Sequence, residues 1–485
     1  MKTRKYIYTA LFVALAYTGF SQVDNAMFFM TRLPQANLIN PAQAPEMGIF
    51  IGGTAVPFFG QLPPSMTVAV NTPLKWNDVI FRGKGEYKDS LISFMHPSYN
   101  TDKFTRKLRK NNVFAINAEI QLLYFGFRQA KNYWTFDITT HVNSYANVPG
   151  DLLKFAIKGN ANTRNANISG LGVNAMVYSQ IAVGFQRELP LDFAMSTRAK
   201  FLLGHANFSN GKNNLQINTA DDGTNIISLI ANYEIRTNMP LKIEYDDEGN
   251  VDTGELEFNF ADARISDLFG SYGGAIDLGV SKKIDDEISV FASVIDLGFI
   301  NWKKNANTLS FSGDGLKFEG AELLLDPFEF KMPEFDTILK SYAVSNSSKP
   351  YATMLPFKIY AGGHYQLNEM FGFGVLGRLE KRPFGVSPSL TISADIRPFK
   401  FGNAALTYSY MNRSFTNIGL GYTLRVGPVQ WYFVSDNIIG TMLFPAASRS
   451  LSARFGCNLV FNRNEVEKAE KPEKQKKLKN QTKLR

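Results

Sequence analysis

The chain has 485 residues, a formal charge of +9 and one cysteine, Cys457. A single cysteine excludes an intrachain disulfide and any cysteine-built metal site. The charge divides as +3 in residues 1–21 and +5 in residues 462–485, leaving +1 for the body, so no basic nucleic-acid face is implied.

Lys2, Arg4 and Lys5 precede an apolar run from Tyr6 to about Tyr17, followed by the small residues Gly19 and Ser21. That order predicts a secretory signal peptide over residues 1–21. The run is shorter than the ~20 residues that a helix needs to cross a bilayer, and no later stretch reaches ~18 apolar residues. No cysteine stands at the cleavage point, so lipoprotein processing is not indicated.

From Ser65 onward, apolar and polar residues alternate with period two. Phe114, Ile116, Ala118, Ile120, Leu122 and Tyr124 oppose Asn117, Glu119 and Gln121; Trp134, Phe136 and Ile138 oppose Asp137 and His141. Phe193, Met195, Ala199 and Phe201 oppose Ser196, Arg198 and Lys200; Leu390, Ile392 and Ile396 oppose Thr391, Ser393, Asp395 and Arg397. Ile418, Leu420, Tyr422 and Leu424 face away from Thr423 and Arg425, and Leu451 to Phe461 alternates around Arg454. About fourteen such segments of ~10 residues fit strands that cross a membrane with a wet lumen on one face and lipid on the other.

The connections sort by length. Tight turns fall near Gln129–Lys131, Glu188–Pro190, Asp285–Asp286, Leu367–Glu369, Pro398–Lys400 and Gly427–Pro428, with long excursions near 72–112, 143–171, 205–271 and 298–354 between them. Short turns on one side and long loops on the other define an up-and-down barrel of the outer membrane, with both termini expected in the periplasm. A soluble sandwich has no reason to sort its loops this way. Within the loops, Asp151–Ile157 and Ser90–Met95 read as short helices with apolar faces. Phe461 ends the last strand as the terminal aromatic that barrel-assembly machinery reads for insertion. The lysine-rich residues 462–485 read as a disordered periplasmic tail.

Ahead of the strands lies Leu33-Pro34-Gln35-Ala36-Asn37-Leu38-Ile39-Asn40-Pro41-Ala42. This segment, with Lys200–Asn207, Gly274–Gly279 and Asp296–Trp302, resembles an uncharacterised family of exported barrels, a domain of unknown function. More remotely, Asn-Pro-Ala followed by about fourteen strands looks like the long-chain fatty-acid transporter superfamily of the outer membrane. That resemblance implies an amino-terminal hatch, residues 22–64, folded into the lumen of a barrel spanning 65–461. Asn40, Pro41 and Ala42 would sit in the hatch, although Asn-Pro also suits a turn that merely leads into the first strand. The superfamily's substrate residues find no positional match here.

Gly372-Phe373-Gly374-Val375-Leu376-Gly377 satisfies a dinucleotide-binding string but lies inside an alternating strand with no helix after it. Small residues that ease strand curvature or pack against a hatch explain it better. His96, His141, His205 and His364 show no metal-ligand spacing, and no nucleophile motif occurs. The expected lumen set is Glu119, Asp137, His141, Arg198, Lys200, His364, Asp395, Arg397, Arg425 and Arg454, an ion-pair network that holds a plug or sets selectivity. The reading is thus an all-β, non-enzymatic barrel without a cofactor. Its expected partners are outer-membrane lipid, barrel-assembly machinery, and either hydrophobic or amphipathic small molecules or a secreted or periplasmic protein.

Overall fold

The structure is a computed structural model that describes residues 24–461 except 46, 55–62, 161–163, 223, 225, 246–250, 252–256, 259–268, 319–322, 326–327, 331–342 and 400–401. The expected signal peptide and basic tail lie outside the described residues.

Fourteen antiparallel strands close into a barrel. In chain order they are β1 (Ile49–Gly53 continued by Ser65–Asn71), β2 (Asn111–Gln129), β3 (Asn132–Pro149), β4 (Gly172–Leu189), β5 (Phe193–Thr219), β6 (Ser271–Lys283) and β7 (Ile288–Trp302). The second half comprises β8 (Tyr351–Met354 continued by Lys358–Gln366), β9 (Phe371–Arg382), β10 (Gly385–Phe399), β11 (Gly402–Met411), β12 (Ser414–Val426), β13 (Val429–Ser435) and β14 (Ser450–Phe461). Both segments of β1 pair with β14 on one side and β2 on the other, which closes the cylinder. The barrel therefore starts at Ile49. The expected hatch boundary at residue 64 shifts to Gly48, because Ile49–Gly53 already shares ladder hydrogen bonds with both neighbours.

The alternation dictates the two faces. On β10, Ile392 points outward and is 54% exposed, while its neighbours Thr391 and Ser393 are buried inside. Such an outward apolar surface is stable only against lipid. Aromatic pairs cluster toward the short-turn mouth: Trp134 with Phe185 at 4.6 Å, Phe125 with Phe127 at 5.7 Å, and Tyr422 with Phe433 at 5.8 Å. They form part of an interfacial girdle. No described helix is long and apolar enough to cross a membrane.

One alternation fails. A bulge between Gln121 and Leu123 of β2 shifts its pairing with β3. Tyr124, expected outside with Leu122, therefore turns into the lumen and is fully buried.

At the long-loop mouth β5 runs on to Thr219 and pairs with Ile227–Thr237, which pairs with Asn307–Phe318, which pairs in turn with Ala343–Ser347. This sheet has its own apolar core around Ile168, Leu215, Leu309 and Val344. The first long loop folds over Leu74, Phe104 and Leu108, against helix Gly150–Lys158, the expected 151–157 helix. Lys158 pairs with Asp102 there at 2.8 Å and holds that exposed carboxyl below the usual range. The helix expected over Ser90–Met95 is instead a strand, Leu91–Ser93, paired with Ile80–Arg82; three residues with one buried isoleucine complete a hairpin, not a helical turn.

A lysine at the outward midpoint of β10 should expose the lipid contact directly. Ile392→Lys is expected to lose about 2–4 kcal/mol of folding free energy in phospholipid vesicles, measured by denaturant titration. A threonine-to-lysine change beside it at Thr391, facing the interior, is not governed by that lipid cost. Unchanged stability of Ile392→Lys would remove the lipid-facing assignment.

Candidate functional site: a plugged lumen

The first described segment fills the barrel. Helix α1 (Asp24–Phe28) and the 3-10 turn Pro34–Leu38 run through the lumen before the chain enters the wall at Gly48, whose N–H donates to the Phe461 carbonyl at 3.0 Å beside the short turns. Ala26, Met27, Phe28, Phe29, Met30, Leu33 and Ile39 are buried against inward-facing Ile295, Tyr360, Leu376, Ala405, Tyr432 and Val434. Phe28 meets Phe291 at 4.5 Å and Phe29 at 5.4 Å. The wall makes room with glycines. A Cβ at Gly374 would collide with the Phe29 ring, and one at Gly421 with the Met30 sulfur. The glycine string of β9 is thus a packing feature, as its strand context implies.

Polar contacts fix the hatch between these apolar ones. Asn40 and Ala42 are buried; the Ala42 carbonyl accepts from Gln186 Nε2 at 3.0 Å and Ser281 Oγ at 3.3 Å, and the Pro41 carbonyl accepts from Asn37 Nδ2 at 2.9 Å. Ser293 Oγ donates to the Ile39 carbonyl at 2.8 Å. Gln35 and Asn458 exchange amide hydrogen bonds at 2.8 and 3.0 Å. The Asn-Pro-Ala segment therefore lies in the lumen, clamped by β4 and β6, and is not a bare turn into the first strand. The first described residues stand well inside the barrel, away from the short-turn mouth; the expected periplasmic amino terminus falls on residues outside the described ones.

Across the middle runs a belt of charge. Lys200 Nζ lies 2.8 Å from Asp277 and 2.5 Å from Asp296. The fully buried Arg198 lies between Asp137 at 3.7 Å and Asp277 at 3.8 Å, and Gln180 donates to Asp137 at 2.7 Å. Arg198 also donates to Asn37 of the hatch and to Tyr124, each at 3.4 Å, so one guanidinium joins network and plug. Arg454 pairs with Glu119 at 2.5 Å, with His141 3.8 Å from the same carboxylate. Apart from the belt, beside the short turns, His364 and Arg397 both reach Asp395, at 2.7 and 3.4 Å. A further pair, Glu380 with Arg382 at 2.7 Å, lies on β9.

Six of the ten expected lumen residues, Glu119, Asp137, His141, Arg198, Lys200 and Arg454, meet in this belt, and His364, Asp395 and Arg397 form a separate cluster beside the short turns. Arg425 stands apart near the short-turn rim, where its Nε donates to the Gly427 carbonyl at 2.8 Å. Sequence reasoning missed Asp277, Asp296, Glu380 and Arg382. Asp277 had a signal, standing between outward Ile276 and Leu278. Asp296 had none: a bulge between β6 and β7, with φ of 64° at Asp296, places it beside Asp277, whose Oδ1 accepts the Asp296 N–H at 2.8 Å. Among the described residues no group of three or more His, Cys, Asp or Glu side chains forms a metal site.

The space left over is unequal. Two polar voids of about 50 and 30 Å³ lie around Glu119, His141, Asp296 and Lys358. Between the hatch and the wall toward the short turns is a cavity of about 480 Å³. Phe28, Phe29, Phe193 and Phe291 give it an apolar side, and Arg128, Lys131, Lys282 and Lys283, with Glu188 and Asp192, a charged edge.

A closed barrel with a lipid-facing exterior and a lumen stopped by its own amino-terminal segment is a plugged transmembrane β-barrel. The chain belongs to the family of unknown function DUF5723, whose model matches residues 53–436. The expected kinship with an uncharacterised family is thereby borne out. No curated protein matches the chain in sequence. Among solved structures, the toluene transporter TbuX of Ralstonia pickettii covers 92% of this chain and 99% of its own, with 10% identity and a TM-score of 0.42. The toluene transporter TodX of Pseudomonas putida covers 91% and 97%, with 8% identity and a TM-score of 0.35. A FadL homologue of Pseudomonas aeruginosa covers 91% and 96%, with 8% identity and a TM-score of 0.23.

Asp277 holds two buried cations, so its loss should be severe. Asp277→Ala is expected to cost about 3–5 kcal/mol, because Lys200 loses a 2.8 Å partner while remaining buried. The denaturant midpoint in vesicles measures it; a shift within error of wild type would make the belt dispensable.

Proposed function

We propose that the protein is a plugged outer-membrane channel for passive uptake of hydrophobic or amphipathic small molecules, with the hatch as its gate. The observation that carries this reading is the cavity of about 480 Å³ between hatch and wall, one side aromatic and the other charged. A binding space of this kind suits a solute with an apolar body and a polar head, since desolvating either part alone would find no compensation on the opposite side. The charge belt argues in the same direction. A purely apolar solute gains nothing beside Arg198, Lys200 and their carboxylates, whereas an amphipathic one can exchange polar contacts as it passes. The toluene transporters named above lend the reading an analogy of architecture only.

The orientation that goes with it sets the short turns and residues 462–485 in the periplasm and the strand-built sheet above β5 outside the cell. Phe461 would then be the insertion signal read by the assembly machinery. A second reading, a surface barrel that binds or shuttles a partner protein, is favoured by that outer sheet, whose separate core makes it a platform in its own right.

Purification in mild detergent followed by mass spectrometry of bound molecules distinguishes the two: a defined amphipathic compound supports uptake, and a stoichiometric protein supports the second reading. In proteoliposomes, the intact protein is expected to pass an amphipathic dye and retain a sugar of similar size. A variant lacking residues 24–44 is expected to leak both. Retention of the dye by intact protein would overturn the uptake proposal.

A further inference from the structure

Among the described residues, the wall lacks a strand beyond the end of β13. Strand β13 has seven residues. Its last rungs pair Ser435 with Leu420 of β12 and Val434 with Arg454 of β14. Beyond them, Ser414–Gly419 of β12 pairs only toward β11, and Ser450–Ala453 of β14 only toward β1. Two strand edges thus face each other with no strand between them in the long-loop half of the wall, and open edges of this kind need cover.

A five-residue helix, Ile438–Met442, bridges the gap and packs against both β12 and β14. Its attachments are side chains, not a ladder. Asn437 donates to the Ser450 carbonyl at 2.8 Å and to Ser448 Oγ at 2.7 Å, and caps the helix by accepting from the Gly440 N–H at 3.0 Å. The Ser452 N–H donates to Thr441 Oγ1 at 3.1 Å. Met442, Leu443 and Phe444 are 61–67% exposed.

Asp436, the residue before Asn437, belongs to both this patch and the plug. Its N–H donates to Ser452 Oγ at 2.7 Å, on the same rung that Thr441 holds. Its carboxylate accepts the N–H groups of Ala26 at 2.8 Å and Asn25 at 3.0 Å, first-turn donors of α1 that have no acceptor within the helix. Asp436 and Asn437 are fully buried.

We propose that Asp436 is a latch that couples the hatch to the helical patch in the wall, so that the position of α1 and the seating of Ile438–Met442 form one equilibrium. Withdrawal of α1 removes two donors from a buried carboxylate. A carboxylate so deprived relaxes toward water, and Asn437, its chain neighbour and the anchor of the patch, must follow. The latch rests on the reading of the hatch as a movable gate, but its test needs no solute, so its failure and that of the uptake proposal are distinguishable.

Hydrogen exchange followed by mass spectrometry on the full protein in detergent reads the coupling. In Asp436→Ala, exchange in residues 24–30 and in residues 437–444 is expected to rise together by about tenfold or more, the scale of a lost hydrogen bond to a charged group, while residues 34–44 keep wild-type protection. Should that variant fail to fold, Asp436→Asn, which keeps one oxygen acceptor, is expected to show the same paired rise at smaller amplitude. Gly374→Val separates coupling from local damage, since it crowds Phe29 from β9, four strands from β13. It too is expected to loosen residues 437–444 along with residues 24–30. A rise confined to residues 24–30, or no rise in either segment, would overturn the latch.

Discussion

In hydrocarbon no water is available to satisfy a backbone N–H or carbonyl, and each one left unpaired costs several kcal/mol. Every other feature of this molecule follows from meeting that demand. Strands can do so only by closing the sheet, and β1 closes it here by pairing with β14 and β2 at once. Closure then fixes which residues face lipid, because the side-chain period is two and one register slip would move Ile392 and its kind into the lumen.

Closure of fourteen strands creates a second demand. The interior is too wide for wall side chains to fill, as they do in an eight-stranded barrel. The molecule answers in two layers. Against β9, β11 and β13 the amino-terminal segment supplies Met27, Phe28, Phe29, Met30 and Leu33, and the wall responds with inward Leu376, Ala405 and Val434 where a wet barrel would carry polar groups. Nearer the middle, charged residues from β3, β5, β6 and β7 meet across the space. Arg198 and Lys200 come from β5, Asp277 from its neighbour β6 and Asp137 from β3, two strands away on the other side, so the belt ties several strands together.

The barrel was legible because its signal is one-dimensional. Alternation and loop length survive in the sequence, and Phe193–Phe201 against Ser196–Lys200 needed nothing else. The failures are where a local irregularity changes phase. Tyr124 follows a bulge that nothing in Leu122-Leu123-Tyr124 announces, and Asp296 follows another. Ile49–Gly53 escaped notice as wall because ten or so residues separate it from Ser65, while its pairing partners, Leu123 and Gln121, are nearly adjacent. The lumen charges were visible as a set, but their pairing was not, since partners such as Glu119 and Arg454 are brought together only when the first strands meet the last.

The hatch is held by chemically different means along its length, and that difference bears on how it would move. At the short-turn end the anchors are neutral: the Ile39 carbonyl takes one hydrogen bond from a wall serine and the Ala42 carbonyl two, from a wall amide and a wall serine, while the Pro41 carbonyl is held by Asn37 within the hatch. Neutral bonds of this kind exchange for water at small net cost. At Asn37 and at α1 the anchors are ions, Arg198 and Asp436, buried and expensive to leave with fewer partners. A graded displacement would thus begin at the short-turn end, where the cavity of about 480 Å³ lies beside Asn40, Ala42 and Gln43. It would stall at the two ionic anchors until something else satisfied them. On the proposed uptake reading, a solute with a polar head would supply such a substitute and a bare hydrocarbon would not.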